Sequence, residues 1–150
     1  LLLFSFEVYT LLDQINIAEM NPNYKSINGV LFNKNGSELI QYPSGNTATT
    51  YSIPTDVTTL KDKSFYGSVN LQEITIPNNV LTIENNPFIY SKSLNKFIIN
   101  DDHTKFSVID ESNGLVTLTG NEKSNVFWLY EKSVTEPKLP FNGWKKGCAK

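Results

Sequence analysis

The sequence predicts a mainly β repeat solenoid: short parallel strands stacked coil on coil, few short helical turns, and β-hairpin insertions. Three observations predict it. Apolar residues recur at a fixed spacing of 23: Ile53-Pro54 as Ile76-Pro77, Val57 as Val80, Leu60 as Ile83, Phe65 as Phe88, Leu71 as Leu94, and Tyr51 as Ile74 and then Phe97. Self-similarity at a constant period is the mark of stacked identical units. Apolar and polar residues alternate in Ile74-Thr75-Ile76, the period of a strand with one buried face. The return that follows carries Asn78, Asn79, Asn85, Asn86 and Pro87, all poor helix formers.

The elements follow in chain order, with residues 1–140 forming the solenoid. Residues 1–20 read as a repeat remnant, because Phe6, Leu12, Ile15 and Ile17 stand 82 residues before Phe88, Leu94, Phe97 and Ile99. The same register assigns Leu1 to the core, against the reading of Leu1 to Phe4 as the tail of a signal peptide, which lacks a basic region and a small-residue cleavage site. Residues 21–50 form a longer hairpin unit, 51–73 and 74–100 two regular repeats, and 101–138 a second hairpin unit. Leu139-Pro140 looks like the start of a further repeat, so residues 139–150 are a truncated repeat or a tail.

Within a regular repeat, Pro77 ends the strand because it has no N–H to pair, and it holds Ile76 extended. Val80, Ile83 and Phe88 then return to the interior through turns or one short helical turn. A single such unit cannot cover its own apolar face, so neighbouring coils must share it. Each longer unit opens on an aromatic residue, Tyr24 or Phe106, followed by Gly and an apolar strand, Val30-Leu31-Phe32 or Leu115-Val116. A second apolar strand comes after a polar turn, at Leu39 to Tyr42 or Val126 to Tyr130. Asn35-Gly36 predicts a two-residue type I′ turn, which would set Phe32 opposite Leu39.

Composition narrows the function. The chain is 39% hydrophobic and 19% charged, enough to bury a core. Its net charge is -2, it has no Arg, and all 13 basic residues are Lys. No basic field exists for nucleic acid, and no Arg fork for carboxylate or phosphate. Cys148 is the only cysteine, which rules out an internal disulfide and a cysteine zinc cluster. No apolar run approaches the roughly 18 residues of a membrane span, so no membrane contact within this chain is expected, and no cofactor.

The pattern I-P-x-x-V-x-x-(L/I)-x-x-x-x-F-x-x-x-x-x-L-x-x-I, together with NPNYKSINGVLFNKNGSELIQYPSG between repeats, resembles the BspA-like leucine-rich-repeat surface protein family over about Leu1 to Tyr130. The chain departs from the family pattern at three places. The usual I-G is Leu60-Lys61 and Ile83-Glu84, the usual A-F is Ser64-Phe65 and Pro87-Phe88, and the usual Cys is missing from 67–70 and 90–93. The resemblance implies a leucine-rich-repeat solenoid, location at the cell surface or outside the cell, and adhesion to a host surface or extracellular matrix protein.

The candidate partner-binding residues are the polar positions of the strands, which in a solenoid share one face. They are Gln14 and Asn16 with Asp13, then Thr49, Thr50 and Ser52, then Gln72, Glu73 and Thr75, then Asn95, Lys96 and Ile98. Glu73 and Lys96, 23 apart, should be neighbours, and Ile98 is the apolar anchor. Asn35-Gly36-Ser37 fits an N-glycosylation acceptor on an exposed turn, although the turn by itself accounts for these residues. Asp101-Asp102-His103 reads as a turn rather than a metal or acid–base site. The function expected is a non-enzymatic recognition and adhesion module. The rivals are an intracellular interaction scaffold on the same repeats and a polysaccharide-active β-helix enzyme; the latter needs acids clustered on one strand face, where only Glu73 or Asp13 appears.

Overall fold

The computed structural model describes residues 12–84, 87–100, 102–110 and 127–131. The expectations for Leu1 to Phe6, for Asp101, for Leu115-Val116 and for the segment holding Leu139-Pro140 and Cys148 lie outside the described residues.

Among the described residues the first strands are three and antiparallel, β1 (Tyr24–Ile27), β2 (Val30–Asn33) and β3 (Glu38–Gln41). The regular repeats contribute two short strands per coil: β4 (Thr50–Ser52) and β5 (Thr59–Leu60), then β6 (Glu73–Thr75) and β7 (Thr82–Ile83), then β8 (Lys96–Ile98). β9 (Phe106–Asp110) and β10 (Phe127–Glu131) pair antiparallel beyond them.

Two parallel ladders carry the 23-residue period. In one, β4, β6 and β8 lie side by side, with Tyr51, Ile74 and Phe97 in register. In the other, β5 and β7 align Thr59 with Thr82 and Leu60 with Ile83. Ile53 and Ile76 continue the first ladder, donating N–H to Thr75 O and Ile98 O of the next coil. A parallel strand pair needs a long crossover between its members, and here the rest of each coil is that crossover.

The corners follow from the residues at them. Past each proline the chain bends through a turn closed by Val57 N–H to Pro54 O and by Val80 N–H to Pro77 O, both 3.1 Å. The return to the first ladder is a chain of further turns, Ser64 to Lys61, Ser68 to Phe65 and Leu71 to Ser68. Of the two forms expected there, turns or one short helical turn, the turns are the ones formed, and no helix occurs among the described residues. The turns instead send backbone groups across to the adjacent coil, with Phe65 N–H on Pro87 O and Gly67 N–H on Ile89 O.

Every residue of the regular apolar set is inward. Ile53, Val57, Leu60, Phe65, Leu71, Ile74, Ile76, Val80, Ile83, Phe88, Leu94 and Phe97 are buried in one core, with Tyr51 and Ile99 packed against it. Aromatic rings run through the core: Tyr42 stacks on Phe65 at 5.3 Å, and Phe65 packs tilted against Phe88 at 5.3 Å. Tyr42 stands 23 residues before Phe65, so the repeat register already holds at the end of the first hairpin unit. Burial pushes the Tyr42 hydroxyl up to about 12. The departures from the family pattern fit the same core: Ser64 and Pro87 are buried beside the two phenylalanines, and Ser68 and Ser91, 23 apart, are buried in the stretches where the usual Cys is missing.

The first hairpin unit differs from expectation in one respect. Phe32 does pair with Leu39. However, Asn35-Gly36 is not the type I′ turn: Gly36 alone has positive φ (83°) and donates its N–H to Asn33 O. The I′ turn is Asn28-Gly29, with φ of 50° and 80°, joining Ile27 to its partner Val30. Both central residues of such a turn need positive φ, which Asn-Gly supplies. The unit is therefore a three-stranded meander, and β3 joins the solenoid by pairing parallel with β5, Leu39 beside Leu60. In the second unit, β10 pairs with β9.

Candidate functional site

The polar positions of the strand ladder come together as rungs. Thr50, Glu73 and Lys96 are in register on β4, β6 and β8, and so are Ser52, Thr75 and Ile98. Thr49 O accepts Gln72 N–H at 2.7 Å and Gln72 O accepts Asn95 N–H at 2.9 Å, which extends the alignment one residue earlier. Thr49, Thr50, Ser52, Gln72, Asn95 and Lys96 are exposed, while Glu73, Thr75 and Ile98 are half-buried. Their orientation follows from strand alternation: Ile74 and Phe97 point inward and their neighbours outward. Glu73 and Lys96 form the ion pair the spacing anticipated, 3.1 Å apart, so the only two charges on these rungs neutralise each other.

Gln14 and Asn16 sit apart from this ladder. Both are exposed and flank buried Ile15, preserving the alternation, but residues 12–17 form no strand. Their backbone is drawn to the hairpin: Ile15 N–H bonds to Gly29 O at 2.7 Å and Ile17 N–H to Ser26 Oγ at 3.0 Å. Gln14 lies against Gly29, where an added Cβ would come within 2.8 Å of Gln14 Cβ.

Asn35 is exposed, and its Oδ1 accepts Ser37 N–H at 2.9 Å. His103 is buried in a turn closed by its own N–H on Asn100 O, and its Nδ1 accepts Lys105 N–H. Asp102 accepts a hydrogen bond from Asn78 at 3.1 Å. Among the described residues, no three His, Cys, Asp or Glu side chains gather as a metal site would require.

Two features escaped the sequence reading. Lys61 and Glu84, the residues that replace the family's usual glycines, form an ion pair between coils at 2.7 Å, and Glu84 also accepts Asp62 N–H at 2.8 Å. Their separation of 23 was the signal. Burial works to raise the Glu84 carboxyl, but the hydrogen bonds from Lys61 and Asp62 and the Lys61 charge outweigh it and hold the group below its usual range. The hydrogen bond to Glu84 raises Lys61, against a smaller opposing effect of burial. A carboxyl with a lower pKa folded than unfolded stabilises above the unfolded value, and that contribution disappears as pH falls through the folded value. For a pair this exposed, the stabilisation is roughly 0.2–1 kcal/mol. Denaturant melts should therefore show Glu84→Gln less stable than the parent near neutrality, with the gap closing in acid; a gap independent of pH would contradict this. The second feature is a pair of tyrosines on the turn side, Tyr66 and Tyr90, edge to face at 5.4 Å, with Tyr90 42% exposed.

Comparison with known proteins agrees with this geometry. The family model described as BspA type leucine rich repeat region (6 copies) matches residues 44–112. Among solved structures, a leucine-rich repeat protein from Eubacterium ventriosum is 35% identical, with a TM-score of 0.57, over 61% of this chain and 25% of that one. The pneumococcal vaccine antigen PcpA is 25% identical, with a TM-score of 0.56, over 58% of this chain and 22% of its own. A leucine rich cell surface protein from Faecalibacterium prausnitzii shares the fold at 24% identity and a TM-score of 0.50, over 53% of this chain and 22% of its own. The chain thus spans about a quarter or less of the length of these proteins. No curated protein matches it. With its two parallel ladders, a core that repeats every 23 residues and the family match in agreement, residues 44–112 are a BspA-type leucine-rich repeat region.

Proposed function

We propose that this chain is part of a non-enzymatic recognition module, displayed at the cell surface or outside the cell, that adheres to a host surface or extracellular matrix protein through the strand face of its solenoid. The observation that carries the reading is the alignment of Thr50, Glu73 and Lys96, and of Ser52, Thr75 and Ile98, on three consecutive rungs. Stacked coils turn single polar positions into a continuous surface, which is how repeat proteins bind partners. The pairing of Glu73 with Lys96 leaves that surface without net charge, so shape and hydrogen bonding would select the partner. Ile98 supplies the apolar contact, and Asn35 is the acceptor for N-linked sugar on a secreted chain. A surface location draws support from two similar proteins, one named a vaccine antigen and the other a cell surface protein.

The test is binding to immobilised matrix proteins by the parent and by a Thr75→Arg/Asn95→Arg variant. Loss of about tenfold in affinity, worth about 1.4 kcal/mol, is expected, with a melting curve that stays within the ±0.5 kcal/mol usual for surface changes. Equal binding by both would remove the strand face from the reading. Binding of neither to any matrix protein would remove adhesion.

A further inference from the structure

We infer that Asn28, at the tip of the first hairpin, is a site of spontaneous deamidation to aspartate and isoaspartate, while Asn35 in the next turn is protected from the same reaction. Both are followed by glycine, whose lack of a side chain leaves its backbone nitrogen open to approach the preceding carboxamide. The reaction begins when solvent base removes the Gly29 N–H proton. The nitrogen attacks Cγ of Asn28, a five-membered succinimide closes, the Cγ–Nδ2 bond breaks, and ammonia leaves with a proton from water. Water then opens the ring at one of its two carbonyls, giving aspartate or isoaspartate. One water enters, one ammonia leaves, and no oxidant or reductant takes part.

The two turns differ in how they hold the reacting atoms. Asn35 Oδ1 accepts Ser37 N–H at 2.9 Å, and Gly36 N–H is committed to Asn33 O at 3.0 Å. Carboxamide and nucleophile are thus both tied down. Asn28 is exposed, and among the described residues neither its side chain nor the Gly29 N–H has a hydrogen-bond partner. The I′ geometry leaves the N–H of its second central residue outside the ladder, whereas the bond that closes the Asn33 to Gly36 turn uses the corresponding group.

The position gives the reaction a structural consequence. Isoaspartate routes the main chain through the side chain and adds a methylene to a two-residue loop that sets Ile27 opposite Val30. Gly29 O also holds Ile15 N–H, and Gln14 lies on Gly29. Conversion would therefore loosen the meander from residues 12–17 and put a new carboxylate at the tip.

The full chain, held folded at mildly alkaline pH and physiological temperature, is sampled over time beside the same chain in urea. Trypsin cuts after Lys25 and Lys34, so the two asparagines fall in separate peptides, and mass spectrometry reads the amide-to-acid increment in each. Asn28 is expected to convert several-fold faster than Asn35 in the folded chain, with the difference lost in urea. Asn35 keeping pace with Asn28 in the folded chain would overturn the inference. So would an Asn28 that stays unconverted while the denatured chain converts both.

Discussion

Phe65→Ala is expected to lower the stability of the chain by about 3–5 kcal/mol, the range for large aromatic truncations in a core. Phe65 is fully buried and lies between two other rings, Tyr42 at 5.3 Å and Phe88 at 5.3 Å, with Tyr51 at 6.0 Å. Its removal loses the transfer energy of the ring, its aromatic contacts on both sides, and the support of two adjacent coils at once. In a stacked solenoid each coil touches only its neighbours, so no distant part of the core can close the gap. Phe88→Ala belongs in the same range, for Phe88 is packed between Phe65 and Phe97. The two effects should not add, because the rings are in contact. Denaturant melts giving less than about 1 kcal/mol for both variants would contradict the stacking.

Ile74→Ala is expected to cost about 2–5 kcal/mol, while Thr75→Ala one residue on should stay within about 0.5 kcal/mol. Ile74 is fully buried on the central strand of the three-stranded ladder, and its neighbours Glu73 and Thr75 face the other way. The contrast matters more than either value. A slip of one residue in strand pairing exchanges the inner and outer sets, so a costly Thr75→Ala beside a mild Ile74→Ala would mean that the ladder is in the wrong register. Thermal or denaturant unfolding of the pair decides it.

The regular repeat was legible from sequence because two independent periods coincide there. The spacing of 23 sets which residues share a layer, and the period of two sets which of them point inward. Each apolar match from Ile53 to Leu94 is buried, and Glu73 meets Lys96 as the spacing required. The second ladder was harder to see. Thr59-Leu60 and Thr82-Ile83 are strands of two residues each, too short to show any alternation, and they exist because the stacked coils bring their backbones into line. The same holds for part of the return, where turns or one short helical turn were expected: the Phe65 and Gly67 N–H groups go to the next coil, a partner that no local sequence rule contains.

The first hairpin unit shows the limit most clearly. Two Asn-Gly pairs, at 28–29 and 35–36, carry the same local preference for a tight hairpin. Which becomes the two-residue turn depends on where β1 can pair and where Gly29 can receive Ile15 and Gln14. Residues 14–17 keep an alternating burial pattern yet join no ladder, since the hairpin claims the Ile15 and Ile17 N–H groups. The candidate face therefore rests on β4, β6 and β8, with Gln14 and Asn16 outside the aligned rungs.

By itself, the sequence determined the period, the buried set and the strand that ends at each proline, because these depend on side-chain chemistry repeated along the chain. Only the tertiary structure decided the second ladder, the choice between two like turns and the hydrogen bond that adds Asp62 N–H to the Lys61–Glu84 pair. Those are settled by backbone and charged groups meeting across coils, where the nearest neighbour in space is about one whole repeat away in sequence.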